Sequence, residues 1–386
     1  MMRRTIWFPN EEYEDRVKKA RKLMARERID LLFLTGDRNY IYFTGHRQLT
    51  PEGWASRPHY FILPLEGEPH LMVHIFIEGD ASSTSWVQNI STYTSLLQAP
   101  VKELSEIIRS YKTRGKRIGA ELGQEQRIGM PVRDFQLLEE ELDEYEFVDA
   151  APILWEMRFI KSKREIEFIR RAMDITEKGY TEGFPLIKEG MTEREIASLL
   201  GGKMVEHGAE HFWIIVASGK ENYQRISGKP TDRKVKRGDM VWVDMGASVN
   251  DYWADYSRGG VMGGPSSEQK KYQEIVIGVT AEGVEAVKSG VPGAHIVDVC
   301  EEGMRKRGVD ISFQAGRLGH GIGLFFVEPP SIAKWDPIIL AQNMVISVEP
   351  GLVRDDGIYH AEENVLVTKN GCEILSRAPR ELWTLG

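Results

Sequence analysis

Apolar positions recur with helical period over residues 11 to 28, where Val17, Ala20, Leu23 and Met24 form one stripe. Continuous apolar runs follow at Leu31 to Leu34, Tyr60 to Pro64 and His70 to Ile75, and each predicts a strand. Helical patterns at Val101 to Tyr111 and Val132 to Leu142 alternate with strand patterns at Ile118 to Leu122 and Glu146 to Val148. This alternation predicts an α/β unit of ordinary domain size.

A different organisation follows. Ser162-Lys163-Arg164-Glu165 carries the reciprocal capping pattern of a helix start and opens a long helix. Thr192-Glu193-Arg194-Glu195 repeats it. Beyond Trp213 the pattern turns to strands and hairpins, interrupted by helices near Ser267 to Val287 and Ile296 to Arg307. The predicted boundary gives an N-terminal unit over 1–157 and a C-terminal α+β unit over 158–386. No solenoid repeat or low-complexity tract is evident.

Length supports two domains, since 386 residues exceed one ordinary core. Lys+Arg 50 against Asp+Glu 58 leaves a net charge of -8, which argues against nucleic acid or an anionic membrane as the main partner. Cations become the natural partners. Two cysteines, Cys300 and Cys372, lack the spacing of a metal site or a disulfide framework and point to a reducing, cytoplasmic compartment. No window approaches the roughly 20 apolar residues of a membrane helix.

The chemistry lies in two predicted hairpins. Asp244, in Val241-Trp242-Val243-Asp244-Met245-Gly246, and Asp255, in Tyr252-Trp253-Ala254-Asp255-Tyr256, are symmetric about a point between Val249 and Asn250. A turn centred there sets them opposite one another. Glu349 and Glu362 are symmetric about Asp355 and Asp356, within the turn Arg354-Asp355-Asp356-Gly357. Facing like charges destabilise a ladder. Alone, each acid reads as a solvated hairpin residue; two such pairs on apolar strands favour cations between them, and paired divalent ions about 3.5 to 4 Å apart suit bridging carboxylates. His320, between Gly319 and Gly321, is a fifth candidate ligand.

Asp244, Asp255, His320, Glu349 and Glu362, in this order and spacing, resemble the ligand set of the pita-bread metallohydrolases (peptidase family M24), which include methionine aminopeptidase, aminopeptidase P, prolidase and creatinase. Ile215 to Gly219, Pro230 to Asp239 and Ser347-Val348-Glu349-Pro350-Gly351 extend the resemblance across the second domain. The first is similar to the creatinase/prolidase N-terminal domain. The resemblance implies a hydrolase with two divalent ions bridged by Asp255 and Glu362, with Mn, Fe or Co favoured and Zn accommodated. It also implies a bridging water or hydroxide as nucleophile, with Glu349 moving its proton. A small-molecule or dipeptide substrate and a homodimer are implied too.

Two positions depart from the family pattern. Where its peptidases carry substrate-site histidines, this chain has Val327 and, in a loop aligned less simply, Ser227. Valine has no hydrogen to donate to an oxyanion, and losing one such donor typically costs about 10²- to 10³-fold in rate. Candidate substitutes are His360, two residues before Glu362 and so on the same strand face, and His211; either also reads as a hydrogen-bonded structural histidine. Trp213, Tyr223, Tyr252, Trp253, Phe325 and Phe326 crowd the same motifs, as packing residues or as a box for a cationic or zwitterionic substrate. Trp54, Arg57 and His59 lie in a first-domain loop of a kind that enters the partner's site in related dimers; Arg57 would then meet a substrate carboxylate, its default being a solvated surface cation.

The leading expectation is therefore a metal-dependent hydrolase of an amide or other C–N bond in a dipeptide-like or zwitterionic molecule. A lyase resembling the dimethylsulfoniopropionate branch is the second, although Phe326 stands where that branch has an aspartate. A non-catalytic family member is the third.

Overall fold

The computed structural model describes residues 7–47, 57–311 and 316–386, and Trp54 lies outside them. The chain divides into two compact units, Met1–Arg158 and Phe159–Gly386.

The first unit is α/β. Its mixed sheet runs in the order Asn89–Tyr93, His70–His74, Tyr60–Pro64, Leu31–Leu34, Arg117–Ala120 and Glu146–Asp149. Leu31–Leu34 is buried at every position, as the continuous apolar run demands of a strand covered on both faces. Helices Asn10–Glu27, Val101–Ser110 and Val132–Glu141 stand where the helical periodicity predicts them. The pattern does not reveal Asn89–Tyr93, a half-exposed edge strand without apolar alternation, or Asp37–Thr44, a helix too short to establish a period. Ala151–Phe159 escapes it for the opposite reason, being too uniformly apolar to show a stripe.

The second unit is α+β and has two sheets and two helix pairs. One sheet orders Trp383–Leu385, Tyr256–Met262, Met240–Val249 and His211–Ser218, with Tyr252–Trp253 paired to Met240–Val249. The other orders Glu328–Ser331, His320–Gly321, Val345–Val348, Glu363–Val367 and Cys372–Ile374, and a separate hairpin joins Gly351–Arg354 to Gly357–His360. Helices Lys163–Gly183 and Glu193–Glu206 pack on the first sheet, and Ser267–Ala286 pairs with Gly293–Lys306. Ser162, Thr192 and Ser266 close reciprocal capping boxes with Glu165, Glu195 and Gln269. Each such cap contributes about 1 kcal/mol. Trp242, Val276, Val279, Ile296, Ile346, Val348 and Val365 share one core, so both sheets are held by the same apolar contacts. Among the described residues no helix is long and apolar enough to cross a membrane.

Candidate metal centre

The Met240–Val249 strand is buried along its length except at Asp244. Its hairpin turns through Asn250 and Asp251, which both have positive φ, 52° and 64°. A two-residue turn of this kind matches the strand twist and requires left-handed backbone at both positions. It sets Val249 opposite Tyr252 and Asp244 opposite Ser257. This corrects the expectation that Asp244 faces Asp255 directly, because the turn is centred one residue later. Asp255 instead lies two residues before Ser257, in a break between Tyr252–Trp253 and Tyr256–Met262. A Cβ at Gly246 would stand 1.7 Å from Ala254 O, so the chain crosses the strand here only over a glycine. Asn364 clasps the crossing, its Oδ1 accepting from Asp255 N at 3.1 Å and its Nδ2 donating to Asp255 O.

The second hairpin follows the expected register. Val348 pairs with Glu363 on one side of a break and Gly351 with His360 on the other. Both ladders continue a single register, in which Glu349 stands opposite Glu362. His320 enters from the neighbouring strand, and Gly319 lets it approach, since a Cβ there would meet Ser347 O at 2.1 Å.

One ligand atom each from Asp255, His320 and Glu362 lies within 4.8 Å of the others, as does one each from Glu349, His360 and Glu362. His320 Nε2 is 3.4 Å from Asp255 Oδ2 and 3.3 Å from Glu349 Oε1. Burial pushes the His320 imidazolium down to about 3, so the ring is neutral. Its Nδ1 stands 3.1 Å from Gly321 O, and a carbonyl takes only a donor there. Nδ1 therefore carries the hydrogen, and the Nε2 lone pair faces two carboxylate oxygens. Lone pairs so opposed are poor hydrogen-bond geometry but ordinary spacing for ligands of one ion, which lie about 3 Å apart when each is about 2.1 Å from it at a right angle.

The acids bear the same mark. Burial raises the carboxyls of Asp244, Asp255 and Glu362 well above the usual range; the Glu349 charge adds to this in all three. Burial takes Glu349 to about 7, against the pull of the Ser347 hydroxyl, 3.1 Å from its Oε1, and of the Arg317 charge. Asp244 Oδ1 and Glu362 Oε1 are buried without a hydrogen-bond partner among the described residues. A buried acceptor left unmade costs about 1–3 kcal/mol, more when charged. Such a site fits divalent cations, which offset the repulsion and take the open oxygens together.

The other predicted residues are distributed unevenly. His360 is fully buried, with Nε2 at 3.1 Å from Glu349 O and Nδ1 at 2.6 Å from Ser257 Oγ. The carbonyl fixes the hydrogen on Nε2, and Nδ1 accepts from the serine hydroxyl. Trp213 stacks on Phe326 at 4.5 Å, and Phe325 and Trp253 lie 4.2 and 5.8 Å from Phe326. Trp213 pairs with Gly246, two residues along from Asp244, so this aromatic wall continues the acid's face of the sheet. Half-buried Val327 follows it, and Ser227 is exposed.

His211 pairs with Ser248, four residues along from Asp244, or about 13 Å along the strand, and is not brought to the cluster. Tyr223 and Tyr252 are also placed elsewhere. Tyr223 belongs to the core, with its hydroxyl bonded to Met240 N at 2.9 Å, and Tyr252 donates to Glu165 Oε1 at 2.7 Å. Arg57 lies in the first unit, its guanidinium 5.4 Å from the Phe76 ring centre. Ser257 and Ser347 were not anticipated, although each stands two residues from a predicted acid and therefore on its strand face. Asn364 stands two residues from Glu362 in the same way, whereas Arg317 carries no such periodic signal.

Residues 16–160 match the model of the creatinase/prolidase N-terminal domain, and residues 167–369 match that of metallopeptidase family M24. Over 381 residues the chain is 30% identical to the Xaa-Pro dipeptidase of Pyrococcus furiosus, covering 96% of this chain and 99% of that protein. A prolidase structure from Thermococcus sibiricus matches with a TM-score of 0.87 at 28% identity, over 97% of this chain and 99% of that one. An X-Pro aminopeptidase structure from Thermotoga maritima matches with a TM-score of 0.82 at 28% identity, over 96% and 99%.

Proposed function

The chain belongs to metallopeptidase family M24, and from that membership we propose a dinuclear-metal hydrolase acting on an amide or other C–N bond of a dipeptide-like or zwitterionic substrate. Xaa-Pro dipeptides are the first class to try, because relatives along the whole chain bear that name. The observation that carries the reading is the convergence of raised carboxyls on a neutral His320, with Asp244 Oδ1 and Glu362 Oε1 left open.

Asp244, Asp255, His320, Glu349 and Glu362 would hold the ions. Four carboxylates and one imidazole favour Mn, Fe or Co and accommodate Zn. Divalent ions at such a centre polarise the scissile carbonyl and acidify water. Glu349, a carboxylate at the centre with its Oε1 3.1 Å from the Ser347 hydroxyl, suits a base that takes a proton from the nucleophile and returns it to the leaving nitrogen. His360 holds the Glu349 main chain through Nε2–H, and Ser347 orients its carboxylate. The wall of Trp213, Trp253, Phe325 and Phe326 excludes water and receives the apolar part of the substrate. A homodimer in the cytoplasm is part of the proposal, supported by the family and by the two unpaired cysteines.

With Val327 and Ser227 in place of substrate-site histidines, turnover of simple Xaa-Pro dipeptides is placed about 10²- to 10³-fold below that of histidine-bearing relatives. The test is a panel of Xaa-Pro dipeptides, creatine-like amidines and betaine compounds, offered to the metal-loaded protein. Chelator-sensitive C–N hydrolysis supports the proposal, and Val327→His is expected to raise the dipeptide rate. Full metal occupancy with no C–N cleavage across the panel would refute it.

A further inference from the structure

The two pairs of acids stand on separate hairpins, and ions must fit the gap between them. At Asp255 and Glu362 the hairpins are tied through the main chain. Asn364 clasps Asp255, and Arg258 Nη1 donates to Ser257 O at 2.8 Å and to Glu362 O at 2.7 Å. Asp244 and Glu349 are joined in another way. Ser257, the ladder partner of Asp244, donates its hydroxyl to His360 Nδ1 at 2.6 Å, and His360 Nε2 donates to Glu349 O at 3.1 Å. This strap leaves the first hairpin, crosses to the second and ends on the main chain of an acid of the centre.

Its position and its surroundings make it a spacer. Ser257 lies two residues beyond Asp255 and His360 two before Glu362, so the strap stands beside both acid pairs on their own strand faces. The ladder partner of His360 is Gly351, which has no side chain to compete for the space, and the Trp242 ring backs the imidazole with its centre 6.0 Å away. Ser257 and His360 are both buried. A buried donor or acceptor is costly to leave unmade, so the strap keeps one length. Glu349 is gripped from the other side as well, its N–H donating to Leu318 O at 3.0 Å. His360 has a possible ligand atom within 4.8 Å of those of Glu349 and Glu362, yet both its ring nitrogens are occupied, one by the hydroxyl and one by the carbonyl.

We propose that the Ser257–His360 strap sets the separation of the two acid pairs and thereby lets the centre hold a second divalent ion beside the first. This rests on the two-ion reading given above. Ser257 and His360 are positioning residues, acting through Asp244 and Glu349.

The test titrates metal-free wild type, Ser257→Ala, Ser257→Thr and His360→Gln with Mn(II) by calorimetry, and records electron paramagnetic resonance at full loading. Wild type is expected to take two ions and to give the spectrum of a coupled pair, as ions about 3.5 to 4 Å apart do. In Ser257→Ala and His360→Gln the first ion should bind as in wild type and the second about 10- to 100-fold more weakly, the usual cost of losing an outer tie to a metal ligand. The coupled spectrum should fade in step. Ser257→Thr keeps the hydroxyl and should restore both. Tyr223→Phe removes a buried hydroxyl from the same core away from the acids, and should lower the melting temperature with both ions kept. Equal weakening of the two ions, or loss of the second ion in Tyr223→Phe, would mean general loosening and overturns the proposal. So does loss of an ion in His360→Gln with none in Ser257→Ala, which would make the imidazole a ligand. Unchanged second-ion binding in both strap variants overturns the strap alone, whereas a wild type that takes fewer than two ions overturns the two-ion reading and the strap with it.

Discussion

Glu362 and Glu363 are consecutive, and both are about 1% exposed, yet their surroundings are opposite. Glu363 meets Arg258 at 3.0 Å and Arg380 at 2.6 Å and takes the Ser376 hydroxyl, so its charge is neutralised and its oxygens are filled. Glu362, on the other side of the chain, faces Asp255, Glu349 and Asp244 and keeps one oxygen open. Two adjacent residues therefore belong to a finished ion-pair network and an unfinished acidic one. The fold can satisfy a buried glutamate, and leaving the neighbouring one unsatisfied marks a place where the missing charge comes from outside. Burial alone does not separate a structural acid from a metal ligand; the partners do.

The largest expected effect separates the two glutamates by function. Glu362→Gln should lower kcat/KM by roughly 10³-fold or more, since it removes a ligand from ions that supply several kcal/mol of transition-state stabilisation. The metal-free variant should melt no lower than metal-free wild type, because one of the repelling acids is gone. Glu363→Gln should do the reverse, leaving Arg258 buried without its charge and costing about 3–5 kcal/mol of stability by denaturant unfolding with or without metal. Similar stability losses in both variants would erase the distinction.

A smaller effect comes from pH. His320 and His360 are pushed down to about 3 by burial, as are His46 to about 3 and His59 to about 4 in the first unit. The unfolded chain binds more protons at these sites, so they raise stability as pH climbs to about 6.5. The four acids act the other way. Their folded values lie above the unfolded ones, at about 7 for Glu349, so their protonated forms favour the folded state and this is lost as pH rises. The unfolded chain gives up its last histidine protons by about pH 7.5, and above that the acids set the slope. The melting temperature of metal-free protein should therefore fall from pH 7.5 to 8.5, while that of metal-loaded protein stays nearly flat. A metal-free curve that is flat or rising there would mean the acids do not repel.

The smallest concerns the first hairpin. Asn250→Val forces a β-branched residue into left-handed backbone and should cost about 1–2 kcal/mol in unfolding free energy. Asn250→Gly should cost little.

The two hairpins also show how far a sequence carries. The pairing of Glu349 with Glu362 was legible because Asp355 and Asp356 lie at its midpoint and form a two-residue turn. The symmetry of Asp244 and Asp255 falls one residue short of the symmetry of the ladder, which sets Asp244 opposite Ser257. Asn250-Asp251 sets the true centre, and Gly246 allows Asp255 to cross over the strand. The apolar periodicities placed most helices and core strands of both units and lost those too short, too polar or too uniformly apolar to show a period. Tyr223 and Tyr252 look like wall residues from their neighbours in sequence, whereas their hydroxyls are spent on Met240 and Glu165. Arg317 was invisible for a related reason, since nothing in the spacing of a loop cation says which way it faces.

The central claim is that the open acids await divalent ions. Its most direct test is the metal content of the whole chain after dialysis against Mn, Fe, Co or Zn, measured by elemental analysis beside Glu362→Gln. Close to two ions per wild-type chain, and loss of at least one in the variant, is the result expected. A wild-type protein that retains no transition metal, or that hydrolyses its substrate equally well after complete chelation, would contradict the account.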